Sequence, residues 1–220
     1  MELDNLPLDL VIFDLDGTLV EFRYRFAEAK QSVLCLLASL GISLPLDVVQ
    51  RSTQDIFDEI AIQVKSVSLD HDEVMAQVNE VIDLYEMEAA TSTTIFDDTK
   101  VVLEELKNDG LKTALVTNNG RKATEFMLKR FDIKRFFDII VTRNDGLKLK
   151  PYPDGILWVL NKLNASRTRT LFVGDSPLDV KAARAAGVIV AALKSTFFKS
   201  PNDFKIKPDY LLNRLSDILF

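Results

Sequence analysis

Residues 10–18 read LVIFDLDGT, four large apolar residues followed at once by a polar segment that holds two aspartates. A short run of branched apolar residues that ends in polar ones predicts a strand buried on both faces. Similar runs recur in the second half of the chain, and segments with helical periodicity separate them. This alternation predicts an α/β fold, a Rossmann-like and mostly parallel sheet with helices on both faces.

The predicted elements of this domain follow one another along the chain. The predicted strands are Leu10–Phe13, Thr113–Thr117, Asp138–Val141, Thr170–Val173 and Val188–Ala192, with a further edge strand near Asp209–Leu212. The predicted helices are Asp98–Asp109, Arg121–Phe131, Pro153–Leu163 and Leu178–Ala186. Gly110 and Gly187 directly follow two of these helices, which favours helix ends there because glycine readily adopts the left-handed conformation.

Residues 21–91 interrupt this plan, because they contain no convincing strand. Apolar residues recur at helical spacing over Phe22–Leu40, Leu46–Val64 and His71–Met87. We therefore predict two regions: an α/β core made of residues 1–20 and 92–220, and an all-helical insertion made of residues 21–91.

The composition excludes several classes of protein. The 220 residues are 47% hydrophobic, which suffices for a core and excludes extensive disorder. Lys and Arg number 27 against 33 Asp and Glu, a net charge of −6, so nucleic acid is not an expected partner. The acidic start Met1–Asp4 and the lack of an apolar run near ~18 residues make a membrane an unexpected partner and predict a cytoplasmic protein. The single cysteine, Cys35, lies in the apolar run VLCLL and is predicted to be buried.

Polar residues cluster where the predicted strands end, and ligands of open parallel sheets bind at that edge. DLDGT follows the first strand, TNN lies at the end of the second, KPYP lies ahead of a helix, and GDSPLD follows the fourth strand. The candidate site residues are Asp14, Asp16, Thr117, Asn118, Lys150, Asp175 and Asp179. Four carboxylates, a hydroxyl and an ammonium are therefore expected to meet at one edge of the sheet.

These four motifs, in this order, resemble those of the haloacid dehalogenase superfamily of phosphohydrolases. The resemblance covers nearly the whole chain. The helical insertion between the first two motifs looks like the cap of the phosphoglycolate-phosphatase-like and β-phosphoglucomutase-like members. The resemblance implies a magnesium-dependent phosphatase that hydrolyses a small-molecule phosphate monoester, with phosphoglycolate or a sugar phosphate as candidate substrates.

The resemblance also implies roles for the aspartates. Asp14 is the expected nucleophile, which would form an aspartyl-phosphate. Asp16 is expected to protonate the leaving group and then to deprotonate the attacking water. Mg²⁺ prefers oxygen ligands, and the resemblance implies that Asp14 and Asp175 offer it carboxylates and Asp16 its backbone carbonyl. Asp179 is expected to lie behind these ligands and to hold a metal-bound water or Lys150.

A phosphate dianion leaves this site with excess negative charge even when Mg²⁺ and a lysine are counted. Asp16 is therefore expected to be protonated when substrate binds, as a general acid must be. The Thr117 hydroxyl, and N–H groups of the turn after the first strand and of the segment after Asn118, are expected to meet the remaining charge. Lys148 and Lys150 could each supply the ammonium, and the KPYP motif favours Lys150.

Two alternatives to a phosphatase stay open. A phosphosugar mutase of the same superfamily would form the same aspartyl-phosphate but return the phosphoryl group to the sugar. A non-catalytic phosphate-binding regulatory module would keep the fold without turnover. EFRYR stands just past the first motif, where the family often has an acidic residue and a serine, and its Arg23 and Arg25 face either an anionic substrate or solvent. The expected partner is a small phosphorylated metabolite, and the expected state is a monomer or a homodimer.

Overall fold

The computed structural model describes residues 8–21, 23–49, 51–195 and 206–219. The start of the helix predicted from Phe22 lies outside these residues. The chain divides into two compact units, one made of residues 23–92 and the other of the residues on either side. We call them the helical unit and the sheet unit.

Over the residues that the structure describes, the sheet unit contains six parallel strands. They are β1 (Leu10–Phe13), β2 (Lys112–Val116), β3 (Ile139–Val141), β4 (Thr170–Gly174), β5 (Ile189–Leu193) and β6 (Tyr210–Leu212). Their order is β3-β2-β1-β4-β5-β6, and every neighbouring pair is parallel. The predicted α/β fold is thus confirmed, and the predicted edge strand is β6.

The order of the strands reverses at β1. The chain leaves β1 and builds β2 and β3 on one side, whereas β4, β5 and β6 lie on the other side. In register, Phe13 at the end of β1 lies between Leu115 and Val173. Such a reversal opens a crevice beyond the carboxyl ends of the central strands, so the segments that follow β1, β2 and β4 meet there.

In its described part, residues 23–49 and 51–92, the helical unit contains four helices, one more than the periodicity predicted. They are α1 (Phe26–Ser39), α2 (Leu46–Val49), α3 (Thr53–Ser66) and α4 (His71–Ser92). The single helix predicted over Leu46–Val64 is wrong, because a new helix begins after Ser52. The Ser52 hydroxyl accepts a hydrogen bond from the Asp55 N–H, and the Asp55 carboxylate accepts one from the Ser52 N–H. This reciprocal pair is a capping box, which starts a helix and separates α2 from α3.

The prediction that Cys35 is buried is also wrong, since its thiol is exposed on α1. α1 buries Ala29, Val33 and Leu37, which lie four residues apart along one face. Cys35 lies two residues from both Val33 and Leu37, and a two-residue step turns a helix by about 200°. The thiol therefore points away from the buried face.

Four further helices cover the sheet within a few residues of their predicted bounds. They are α5 (Thr99–Asn108), α6 (Arg121–Arg130), α7 (Asp154–Leu163) and α8 (Pro177–Ala186). Leu10 and Ile12 of β1 share a buried cluster with side chains of α7 and α8. Val11 and Phe13, on the opposite face of β1, are also fully buried. Within the described ranges, no helix combines the length and apolar character needed to cross a lipid bilayer.

Candidate active site

A tight turn directly after β1 carries Asp14 and Asp16. The Asp14 N–H still bonds to the carbonyl of Val173 in β4, at 2.9 Å. Beyond Asp14 the chain reverses around the carbonyl of Leu15, which accepts the N–H groups of Leu19 (2.9 Å) and Val20 (3.1 Å). The turn that two neighbouring carboxylates need in order to serve one site is therefore present after Asp14.

Gly17 is the residue that lets this turn pass close to the end of β4. Its φ is +77°, in the left-handed region that favours glycine. A Cβ atom on Gly17 would lie 2.2 Å from Oδ2 of Asp175 and 2.4 Å from its carboxyl carbon. The Asp175 carboxylate thus occupies the space that a side chain at position 17 would need.

We expect Gly17→Ala to displace the Asp175 carboxylate and to lower activity by about 100-fold, the order of loss that a 1 Å misplacement causes. Gly110→Ala is the matched control, because Gly110 has the same φ of +77° but nothing within 4 Å of its Cβ position. Both variants should lose about 1–2 kcal/mol through the left-handed backbone, and Gly17→Ala should lose more because the Asp175 carboxylate must also move. Thermal melts and turnover of the two proteins test this, and equal activity in both would contradict the assigned role of Gly17.

A buried lysine joins the carboxylates of the first and last motifs. Nζ of Lys150 lies 2.6 Å from Oδ1 of Asp14 and 2.6 Å from Oδ1 of Asp179. The carboxylate of Asp175 belongs to the same cluster, since oxygen atoms of Asp14, Asp175 and Asp179 all lie within 4.8 Å of one another. The structure therefore brings together four of the seven candidate residues, all of them less than 9% exposed.

Both oxygens of the Asp179 carboxylate accept hydrogen bonds from protein donors. Oδ1 accepts from Lys150, and Oδ2 accepts from the Asp175 N–H (3.2 Å), the Ser176 N–H (3.0 Å) and the Ser176 hydroxyl (2.6 Å). Each carboxylate oxygen offers about two lone-pair sites, so these bonds saturate Oδ2 and leave one site on Oδ1 beside the ammonium. Gly174 makes the arrangement possible, because a Cβ there would lie 2.5 Å from Cβ of Asp179. Asp179 therefore holds Lys150 and the loop after β4.

The side chain of Asn118 has a role that the sequence did not indicate. Its Oδ1 accepts the N–H of Lys150 at 2.9 Å, and its Nδ2 donates to the Lys150 carbonyl at 3.0 Å. Both polar atoms of the amide thus hold the backbone of the lysine. The side chain fixes the approach of Lys150, and the second N–H of its Nδ2 is not used in these two bonds.

Thr117 and Asn119 complete the loop after β2. Thr117 is buried, and its Oγ1 accepts the N–H of Asn119 at 3.2 Å, which leaves the hydroxyl hydrogen for another acceptor. Asn119 was not among the predicted site residues, yet its Nδ2 donates to Oδ2 of Asp16 at 2.5 Å. The TNN motif contained the residue, but no pattern in the sequence shows which of two adjacent amides faces which partner.

Burial dominates the electrostatics of the aspartates. It raises the pKa of Asp14 to about 7 and that of Asp175 to about 8, with Asp179 adding to both and Lys150 opposing both. The pKa of Asp16 is raised to about 6, again by burial, against the hydrogen bond from Asn119. Burial alone would lower the pKa of Lys150, but Asp14 and Asp179 outweigh it and raise that pKa. The cluster therefore contains more potential negative charge than its one ammonium balances.

Asp14 and Asp175 fit a hard divalent cation. Their carboxylates are buried and close together, and burial with repulsion from Asp179 raises the pKa of each to near neutrality although Lys150 opposes the rise. Oxygen ligands of this kind suit Mg²⁺, which is bound by one or two carboxylates and otherwise by water and phosphate. Asp14 and Asp175 therefore have side chains of the right chemistry for this ion, and the metal role of the three predicted residues Asp14, Asp16 and Asp175 stays a prediction.

Arg25, one of the two arginines of EFRYR, is paired within the helical unit. Its guanidinium lies 2.6 Å from Oε2 of Glu88 and 5.4 Å from the centroid of the Tyr85 ring. Both ends of the ion pair are more than half exposed, so the pair contributes little stability. Its charge is already neutralised by a protein carboxylate.

The fold is a parallel α/β sheet, and buried aspartates with a lysine lie where its strand order reverses. Together they define a hydrolase with an acidic site at the edge of a parallel sheet. Residues 11–193 match the haloacid dehalogenase-like hydrolase family, and the chain belongs to that family. The predicted family is therefore confirmed.

Three proteins illustrate the range of similar chains. A protein of Caldanaerobacter subterraneus subsp. tengcongensis, provisionally named pyrophosphatase PpaX, is 32% identical over 97% of this chain and 94% of its own. The structure of a predicted phosphoglycolate phosphatase from Haemophilus somnus 129PT is 24% identical over 97% of both chains, with a TM-score of 0.66. A structure from Thermotoga maritima, provisionally named β-phosphoglucomutase, is 19% identical over 96% and 97% of the chains, with a TM-score of 0.63. The fold is common to all of them, and a phosphatase is the activity that the comparisons support.

Proposed function

We propose that the protein is a magnesium-dependent phosphatase that acts on a small phosphorylated metabolite through an aspartyl-phosphate on Asp14. The observation that carries the proposal is the buried contact of the Lys150 ammonium with Asp14, beside the carboxylate of Asp175. A nucleophile, a fixed positive charge and a pair of oxygen ligands in one crevice are what phosphoryl transfer requires.

In the first step an oxygen of Asp14 attacks phosphorus and forms the aspartyl-phosphate. The bond from phosphorus to the leaving-group oxygen breaks, and Asp16 supplies that oxygen with its proton. Lys150 and the Thr117 hydroxyl stabilise the charge on the non-bridging oxygens of the phosphoryl group. Burial raises the pKa of Asp16 to about 6, and the negative charge of a bound phosphate would raise it further, which favours a protonated carboxyl at this stage.

In the second step a water attacks the phosphorus of the aspartyl-phosphate. Asp16, now ionised, takes a proton from that water, the bond between phosphorus and Asp14 breaks, and inorganic phosphate leaves. Asp14 is restored as a carboxylate and Asp16 as an acid, so the protein is ready for another turnover. Asp14 and Asp175 would hold Mg²⁺, which when bound neutralises charge on the phosphoryl oxygens.

Phosphate monoesters are the substrates that the acid role of Asp16 favours, because an alkoxide leaving group needs a proton. Pyrophosphate is a second candidate, since a relative 32% identical over nearly the whole chain carries the name of a pyrophosphatase. Its leaving group is phosphate, which departs with less help from an acid.

A phosphate-release screen with Mg²⁺ tests the proposal. The panel contains phosphoglycolate, hexose phosphates, pyrophosphate and 4-nitrophenyl phosphate, and ³¹P NMR follows the products. Free phosphate from one or more of them is the expected result. A positional isomer of a hexose phosphate would indicate a mutase, and no turnover of any compound would indicate a non-catalytic module.

Magnesium is expected to raise the melting temperature more at pH 8 than at pH 6. In the metal-free protein the folded-state pKa values of Asp14 and Asp175, about 7 and about 8, exceed the ordinary 3.8, so stability falls as the pH rises from about 4 through these values. Mg²⁺ competes with the protons that these carboxyls hold, and it binds best once they are ionised. At about ten times its dissociation constant it should add about 3–6 °C at pH 8.

Differential scanning fluorimetry measures this shift, with NaCl at equal ionic strength as the reference. Asp175→Asn serves as the variant control and should lose most of the shift. If Mg²⁺ raised the melting temperature equally at both pH values, or raised that of Asp175→Asn as much as that of the wild type, Asp14 and Asp175 would not be its ligands. Reversible loss of turnover on chelation is expected in parallel.

A further inference from the structure

We propose that Asn119 is a positioning residue for Asp16, which fixes the orientation of its carboxyl and so decides which oxygen carries the catalytic proton. The inference rests on the proposed function, in which Asp16 is the acid and then the base. It adds a residue outside the four motif aspartates and the lysine, one that would act only through Asp16.

The hydrogen bond between the Asn119 and Asp16 side chains is short, and no second donor to the Asp16 carboxyl is found among the described residues. Nδ2 of Asn119 donates to Oδ2 of Asp16 at 2.5 Å. Among the residues that the structure describes, this is the one hydrogen bond that the Asp16 carboxyl makes. Without it, the carboxyl would be free to rotate about its side-chain bonds.

Asn119 is itself held at both ends of its backbone. Its N–H donates to Oγ1 of Thr117 at 3.2 Å, and its carbonyl accepts the N–H of Arg143 at 2.9 Å. Arg143 is buried and directs one guanidinium N–H to the Asn118 carbonyl at 3.3 Å. The loop after β2 is therefore tied to the loop after β3, and the Asn119 amide is presented from a fixed support.

The direction of the hydrogen bond has a chemical consequence. Oδ2 of Asp16 accepts a hydrogen bond from Asn119, so the acidic proton of the neutral carboxyl belongs on Oδ1. The same oxygen delivers the proton to the leaving group in the first step and receives one from water in the second. A fixed carboxyl offers that proton in one direction, which matters most when the leaving group departs slowly without it.

The test compares substrates whose leaving groups differ in their need for a proton. For Asn119→Leu we expect kcat/KM for an alkyl phosphate to fall about 10- to 100-fold, and for 4-nitrophenyl phosphate to fall about 3-fold or less. Asn161→Leu is the matched control, because Asn161 is an exposed residue of α7 in the sheet unit, and it should change neither substrate. Equal losses on both substrates for Asn119→Leu would mean a merely structural role and would overturn the inference.

The second arm repeats the substitution in the Asp16→Asn background. There the leaving-group selectivity of Asn119→Leu should disappear, because Asn119 acts only through the acid. Selectivity that persists in this background would overturn the inference. The ¹⁵N NMR resonance of the Asn119 side-chain amide gives a readout that does not depend on turnover. Its chemical shift should change in Asp16→Ala. An unchanged shift would mean that the hydrogen bond is absent.

These outcomes separate the inference from the function on which it rests. A wild-type protein that turns over neither ester removes the proposed function, and the role of Asn119 falls with it. A wild-type protein that turns over both, with losses in Asn119→Leu that are equal for the two esters, leaves the phosphatase intact and overturns only the role of Asn119.

Discussion

Asp14→Asn is expected to lower the turnover of phosphate esters by at least ~10⁴-fold, because an amide cannot form the aspartyl-phosphate. The substitution keeps the size of the side chain and removes a carboxyl whose buried state already raises its pKa to about 7. The fold should therefore survive, with a melting temperature close to that of the wild type. Phosphate release and circular dichroism on the same preparation measure the two effects.

Asp72→Asn is the control for this experiment. Its carboxylate is 99% exposed in the helical unit, so the same chemical change there should leave both turnover and melting unaltered. Ordinary turnover in Asp14→Asn would show that another group is the nucleophile. Loss of the fold in Asp14→Asn would show that the charge of Asp14 supports the structure, and a second variant, Asp14→Glu, which keeps the charge but displaces the attacking oxygen, would then test the chemistry.

Lys150→Met should have the second largest effect, on stability as well as on turnover. The ammonium is buried and lies within 2.6 Å of two carboxylates, so its removal leaves Asp14 and Asp179 without their positive partner. Breaking a buried pair in this way typically costs about 3–5 kcal/mol. Activity should fall about 10²- to 10³-fold, the usual result when one fixed donor to a transition-state charge is lost.

The pH dependence of the loss in Lys150→Met follows from the carboxylates. Without the ammonium the folded-state pKa of Asp14, already raised to about 7 by burial, rises further above the ordinary value, so the variant is least affected at low pH, where that carboxyl is protonated, and loses more stability as the pH rises. Lys148→Met is the matched control, since Lys148 is exposed beside the Tyr152 ring. Denaturant unfolding at pH 5.5 and 8 distinguishes the two lysines, and comparable losses in both would contradict the assignment of Lys150.

The fold was predictable because the apolar runs and the helical periods are strong local signals. Leu10–Phe13 and the other apolar runs predicted strands that the structure contains. The division of Leu46–Val64 into two helices was missed because the apolar spacing continues across the break, although Ser52 and Asp55 form a capping pattern that marks it. Exposure of Cys35 was missed because a run of apolar letters does not show which face of a helix each letter occupies.

The sequence predicted which residues would meet at the edge of the sheet, because the ends of the strands determine that, but it did not predict their individual contacts. Parallel strands bring the residues that follow them to one edge, and on that basis Asp14 and Asp175 were expected to be neighbours. The partners of individual amides depend on loop geometry of a few tenths of an ångström. Asn118 and Asn119 are adjacent and chemically identical, yet one holds the backbone of Lys150 and the other holds the side chain of Asp16.

The place of β1 in the sheet sets an order of events during synthesis on the ribosome. β1 emerges early, but Leu10 finds its neighbours only at Lys112 and Thr170. Until the chain has been translated past β4, one edge of this strand is unpaired. Asp14 also lacks its ion-pair partner until Lys150 has left the exit tunnel. Long-range pairing of this kind is slow, so the edges of β1 stay exposed longer during synthesis than those of a strand with a neighbour close in sequence.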